Sequence, residues 1–292
     1  MSAPTVKSKP AEDALINAKE GAALRKQIVA LETALKQTIA RQPRVSLELS
    51  VPSNTLAFGV IGDTHDGSRY EANSELHAMY EKFRAAGVKD VLHAGDVLDG
   101  HDVYKGQQFE LHSHGFESQL EWFRGHAPRV PGITTHFITG NHDASFKKAA
   151  GIGVGRSIAS VRPDHHFIGE DYATIDFRTP NGRRFRVGLM HPSGGSAYSL
   201  SYRPQKIVET LEGGTKPHLL CIGHYHKAEF MPSYRNVAVL QSATFQRQTP
   251  FMVTKGLAAH VGGWIIRVTV HPRSALSNTI NAEFTAFYRE RS

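Results

Sequence analysis

Short apolar runs recur along most of the chain, each closed by glycine, asparagine or aspartate, and that pattern predicts short buried strands. Residues 56–61, 90–94 and 134–139 are such runs. Helical spacing lies between and after them, over 71–86, 107–123 and about 144–159, with Gly87 ending the first. Strands alternating with helices predict a largely parallel sheet with covering helices. The second half changes character. Runs at 173–177 and 185–190 flank Pro180-Asn181-Gly182, a hairpin signal. A helix over 203–212 leads to an apolar run at 218–222. Residues 237–241, 257–260, 264–270 and 280–288 read as strands, expected to be antiparallel, with Gly262-Gly263 as a turn or bulge. The expected class is an α/β (α+β) sandwich: two packed mixed β-sheets flanked by helices.

The N-terminal pattern differs. Residues 1–10 are polar, and 11–41 read as one helix with Leu24, Ile28, Leu31 and Leu35 on one face. Pro43 ends it, and a break over 42–54 follows. The expected organisation is an N-terminal extension, 1–53, and a catalytic domain, 54–292. The helix is expected to pack on that domain, with self-association or partner docking as its other uses.

Composition narrows the setting. The 292 residues include one cysteine, Cys221, which excludes an intrachain disulfide and fits a reducing compartment. No signal-peptide core precedes the helix, and no apolar run approaches the roughly 18 residues of a membrane span. A cytoplasmic location without a membrane partner is expected. The net charge of +7 suits a polyanionic partner such as nucleic acid.

The candidate chemistry sits immediately after the apolar runs. Asp63-Thr64-His65 follows 56–61, and Gly95-Asp96 follows 90–94. Gly140-Asn141-His142-Asp143 follows 134–139, His191 follows 185–190, and Gly223-His224-Tyr225-His226 follows 218–222. In α/β sheets, sites form beyond the carboxyl ends of strands, where these segments can converge. Asp, Asn and His are oxygen and nitrogen donors suited to divalent transition metals. The set Asp63, His65, Asp96, Asn141, His191, His224 and His226 exceeds what one metal needs. Two cations sharing an anionic bridge at Asp96 would use it, and such a pair activates a nucleophile for in-line displacement at phosphorus.

The ordered set Asp-x-His, Gly-Asp, Gly-Asn-His-Asp, His and Gly-His-x-His resembles the calcineurin-like metallophosphoesterase superfamily, over about residues 56–245. The resemblance implies a four-layer αββα fold. It implies that Asp63, His65 and His226 hold one metal, that Asn141, His191 and His224 hold the other, and that Asp96 bridges them. It implies that His142 contacts the phosphate or protonates the leaving oxygen, with Asp143 orienting its imidazole. The metals would be manganese first, with iron, zinc, nickel, cobalt or magnesium as alternatives. A hydroxide between them would attack the phosphate ester in line.

Further residues are candidates of lower rank. Asp99 is read as supporting the ligands from behind. Arg183, Arg184 and Arg203 are read as substrate-phosphate contacts if they line the cleft mouth. Asp-Thr-His-Asp-Gly and Gly-Asp-Val-Leu-Asp are similar to the DNA-repair exonuclease branch of the superfamily, so a phosphodiesterase or nuclease acting on DNA or a nucleotide is expected first. A phosphomonoesterase acting on nucleotides or phosphoproteins is the alternative. A non-catalytic scaffold of the same fold is the reading from another class.

Overall fold

The computed structural model describes residues 46–195, 197–271 and 278–288. The helix expected over 11–41 lies outside the described residues. Six helices, two short 3-10 turns and twelve strands form among the described residues. The strands are β1 (Ser46–Ser50), β2 (Thr55–Ile61), β3 (Asp90–His93), β4 (Thr134–Thr139), β5 (His165–Glu170) and β6 (Tyr172–Arg178). They continue with β7 (Arg184–Met190), β8 (Leu219–Ile222), β9 (Ala228–Tyr234), β10 (Val237–Ser242), β11 (Gly262–Val270) and β12 (Asn278–Ala286). The helices are α1 (Asn73–Ala85), α2 (Phe116–His126), α3 (Asp143–Ala150), α4 (Val154–Val161), α5 (Tyr202–Glu209) and α6 (Pro250–Thr254).

Two six-stranded mixed sheets result, ordered β1-β6-β7-β8-β10-β9 and β12-β11-β2-β3-β4-β5. In the second sheet β2, β3, β4 and β5 run parallel, as strand–helix alternation predicts. The first is less antiparallel than expected. β8 runs parallel to β7, because α5 carries the chain over between them, and to β10, because β9 returns the chain before β10 begins. Residues 257–260 form no strand and β5 and β9 were not foreseen, while β1 occupies the stretch read as a break. The helix expected over 107–123 is a 3-10 turn followed by α2. The one over 144–159 is split into α3 and α4 at Gly151, whose φ is +71°.

The sheets are joined by one apolar layer. Phe58, Val60, Leu92, Ile138 and Ile266 come from one sheet, and Ile175, Phe177, Phe185, Leu189 and Leu240 from the other. Phe58 stacks on Phe177 at 5.1 Å across the layer. Cys221 lies in this core, and burial pushes its thiol far up, so it is inert packing. A second cluster seats Leu76, Met79, Tyr80 and Phe83 of α1 against the outer face of β2, β3 and β11.

The shortest helix has a conventional start. Thr249 Oγ1 accepts from Met252 N at 3.3 Å, and Pro250 opens the first turn. Thr249→Ala is expected to cost about 1 kcal/mol, read as a lower urea midpoint at unchanged slope. No helix among the described residues is long and apolar enough to cross a membrane.

Candidate metal centre

Five loops meet at the carboxyl ends of β2, β3, β4, β7 and β8. They are sewn together by backbone bonds: Asp63 N to Gly95 O at 2.9 Å, His65 N to Asp96 O at 3.2 Å and Gly223 N to Met190 O at 3.0 Å. Asp63, His65, Asp96, His224 and His226 all take positive φ, from 51° to 76°. Such conformations are strained for residues with a Cβ and persist where the surroundings hold them. Asp63 and His65 converge through these paired left-handed turns rather than through an extended strand.

The donors gather in two groups. In the first, His226 Nε2 lies 3.4 Å from Asp63 Oδ1 and 3.1 Å from His65 Nε2. In the second, His191 Nε2 lies 3.0 Å from Asp96 Oδ2 and 3.1 Å from Asn141 Oδ1. His224 belongs with Asp96 and His191, one nitrogen or oxygen of each lying within 4.8 Å of the others. Carbonyl oxygens only accept, so Ala94 O at 2.8 Å fixes a proton on His191 Nδ1 and leaves Nε2 as the nitrogen turned to Asp96 and Asn141. Likewise Gly194 O at 2.7 Å takes the Nε2 proton of His224 and leaves Nδ1. Two imidazole nitrogens facing each other at 3.1 Å, beside a carboxylate, suit a cation between them. His226 Nδ1 is buried with no partner. The residues present therefore fit a pair of divalent metals, with oxygen and nitrogen donors and no sulfur.

The electrostatics follow from burial against charge. Burial alone raises the Asp96 carboxyl, but His191 and His142, with smaller help from His65, hold it well below the usual carboxylate range. Burial opposes charge on His191, yet Asp96 and Asp63 push it up to about 10. Asp63 is lowered despite burial, by the hydrogen bond and charge of His226.

Supporting contacts surround the donors. Asp99 Oδ1 accepts from His65 Nδ1 at 2.8 Å and from Gln246 Nε2 at 3.1 Å, while its backbone oxygen accepts from His142 Nδ1 at 2.5 Å. His142 thus keeps its Nε2 for whatever enters the cavity it lines. Asp143 does not orient His142, contrary to expectation. Its carboxylate accepts from Val97 N, Leu98 N and Gly140 N, at 3.1, 2.9 and 2.9 Å, pinning the Asp96 loop to the Asn141 loop. Burial, with the Asp96 charge, pushes Asp143 up to about 7. Gly140 is needed here, because a Cβ on it would strike Asp96 and the His191 ring. His93 is a buried residue behind the site, bonded to Thr64 Oγ1 at 3.1 Å and to Gly95 N at 3.2 Å.

The arginines fall elsewhere. Arg184 begins β7 and Met190 ends it, so Arg183 and Arg184 lie about 20 Å from His191, at the opposite end of the strand. Arg184 faces Asp176 at 3.5 Å, and the reading of these two as phosphate contacts is corrected. Arg203 donates to Tyr225 Oη and to Ser193 O, both at 3.1 Å, bracing the loop that carries Gly194.

Beside the donors opens a cavity of about 330 Å³. Its wall away from the donors is Val103, Tyr104, Phe251, Met252, Leu257 and Ala258. No motif marks Tyr104, Phe251 or Gln246 in the sequence; they reach the site from connecting segments.

The pattern of the calcineurin-like phosphoesterase superfamily domain matches residues 56–241. The DNA polymerase II small subunit of Methanothermobacter thermautotrophicus is 27% identical over 211 residues, which cover 61% of this chain and 43% of that protein. The DNA polymerase II small subunit of Archaeoglobus fulgidus is 26% identical over 228 residues, covering 65% and 46%. This chain spans less than half the length of either relative. Among solved structures, GAP50, the anchor in the inner membrane complex of Plasmodium, is similar in fold, with a TM-score of 0.50 at 10% identity over 80% of this chain and 84% of that one. With the two mixed sheets, the five loops and the matched span together, the chain belongs to the calcineurin-like phosphoesterase superfamily.

Proposed function

We propose that the protein is a dinuclear-metal phosphoesterase acting on phosphodiesters of nucleic acid or nucleotides. The observation that carries this is the donor arrangement: Asp63, His65 and His226 in one group, Asp96, His191 and His224 in the other. Asn141 joins the second group through its 3.1 Å approach to His191. Asp96 would be shared, as the family resemblance implies, and the charges of His191, His142 and His65 all lower its carboxyl. A bound pair of divalent cations, manganese first, would supply a nucleophile at neutral pH and charge neutralisation on the phosphoryl oxygens.

The chain's own residues do the rest. Asp99 fixes the tautomer and orientation of His65 through its Oδ1. Its backbone oxygen holds the His142 ring with Nε2 toward the cavity, placing that nitrogen to protonate the departing oxygen. Asp143 holds the two loops at fixed spacing. The diester preference is supported by the net charge of +7 and by the DNA-polymerase names of the relatives. Those names also favour a second reading, an assembly subunit that works without turnover. The complete donor set speaks for chemistry.

One assay separates the readings. Purified protein with manganese is expected to hydrolyse bis-p-nitrophenyl phosphate faster than p-nitrophenyl phosphate, and a chelator is expected to stop both. A monoester preference would replace the diesterase with a phosphatase. No turnover with any divalent metal would leave the subunit. Asp99→Asn keeps the shape and removes the carboxylate that His65 donates to. It is expected to weaken manganese binding by roughly 10–100-fold in a calorimetric titration.

A further inference from the structure

We infer that the apolar wall facing the metal donors is a base-stacking subsite, so that the substrate presents a single unpaired nucleotide unit to the centre. This rests on the phosphoesterase reading above. Tyr104 and Phe251 stack at 4.3 Å with planes 22° apart, and the Tyr104 ring lies 6.3 Å from that of His142. The pair is bolted in place by one buried carboxylate. Glu110 accepts from Tyr104 Oη at 2.7 Å and from Phe251 N at 3.1 Å. Met252 and Leu257 extend the same wall.

An aromatic platform so close to the residue that meets the leaving oxygen specifies the chemistry of the ester. A polar alkyl group would leave this wall in contact with water. A flat, uncharged ring attached within one sugar's length of the phosphorus would cover it. Aromatic side chains receive any base by its π-face, which also makes such a site tolerant of sequence. About 330 Å³ is at the small end of ligand cavities and is enough for one nucleoside. A base that lies with its π-face on this wall has left its own stack, as at a strand end, in single strands or in a free nucleotide diester. A phosphotyrosine ring is flat too, but would fill less of this space.

The test uses two diesters that share a methyl phosphate and differ in the leaving alcohol, thymidine 5′-(methyl phosphate) and 2-methoxyethyl methyl phosphate, with release of the alcohol followed by chromatography on the full chain with manganese. The nucleoside diester is expected to have a kcat/KM higher by on the order of ten- to a hundredfold, mostly through KM. Equal values would overturn the subsite. Adenosine binding, followed by saturation-transfer NMR without metal, is independent of turnover. It is expected for the wild type, to be lost in Phe251→Ala and restored in Phe251→Trp. It should persist in Val253→Ala, whose side chain lies on the same helix but is 59% exposed. Adenosine binding without hydrolysis would sink the phosphoesterase reading and leave the subsite. Hydrolysis of both diesters without adenosine binding would do the reverse. Tighter competition by p-nitrophenyl phosphate than by thymidine 5′-phosphate would also overturn the nucleotide reading in favour of a phenolic one.

Discussion

Asp96→Ala is expected to abolish phosphodiester hydrolysis and to halve the bound metal or worse, while the protein stays folded. Asp96 is almost wholly buried, and both its oxygens are engaged, one by His142 N at 2.8 Å and the other by His191 Nε2 at 3.0 Å. A carboxylate is kept charged there only because protonatable imidazoles surround it. In the proposed site it is the anion between two cations, so alanine leaves their repulsion uncompensated. It also frees the His142 backbone, which loses the acceptor that sets its place. Removing one preorganised charge-stabilising group typically costs about 10²–10³ in kcat. A shared ligand should cost at least on the order of 10³. The measurement is metal content by mass spectrometry beside kcat on bis-p-nitrophenyl phosphate, with circular dichroism as the folding control. Wild-type turnover in the variant would remove the proposed centre altogether. Normal metal content with lost turnover would instead confine Asp96 to holding His142.

Much of the site can be read along the chain because each donor lies one to four residues beyond a strand. The apolar run announces the strand, and parallel strands bring their carboxyl ends to one edge. That is why Asp63, Asp96, Asn141, His191 and His224 can be named together without coordinates. What the sequence hides is direction and distance. Asp143 adjoins His142 in the chain, and the family resemblance implied a contact, but it begins α3 and turns toward three backbone amides instead. Asp99, three residues past Asp96, makes the contact. Arg184 opens the strand that delivers His191 and Arg183 immediately precedes it, so both lie at its far end. Counting strand residues from the hairpin would have shown this. Pro232 within β9 obscured an edge strand, where proline is tolerated because one row of amides goes unpaired. Tyr104, Gln246 and Phe251 carry no signal at all, because only the tertiary fold brings them beside the donors.

Arg162→Met is expected to destabilise the protein by about 3–5 kcal/mol at pH 7, although no part of it touches the proposed centre. The side chain is fully buried and is the largest such group among the described residues. Its Nη1 donates to Ala127 O at 2.9 Å and its Nη2 to Pro128 O at 2.7 Å, tying the end of α2 to the turn before β5. Nε and Nη2 grip the two oxygens of Asp164 at 2.8 and 2.6 Å, and the guanidinium lies 5.5 Å from the Phe123 ring centre. Methionine is of similar bulk but leaves two carbonyls without these donors and the partly buried Asp164 carboxylate with His165 alone. For a chain of this size the loss corresponds to a melting point lower by roughly 6–20 °C. The pH dependence identifies the source. Burial alone raises the Asp164 carboxyl, but Arg162 and His165 hold it far below its unfolded value of 3.8. A carboxyl depressed on folding contributes its stability above that unfolded value and loses it as acid approaches the folded one. The gap in melting point between wild type and Arg162→Met should therefore be widest near neutrality and narrow below about pH 4. It should not close entirely, because the two carbonyl bonds do not titrate. A gap that holds constant from pH 7 to pH 3 would assign the loss to packing and the carbonyls, and not to the ion pair.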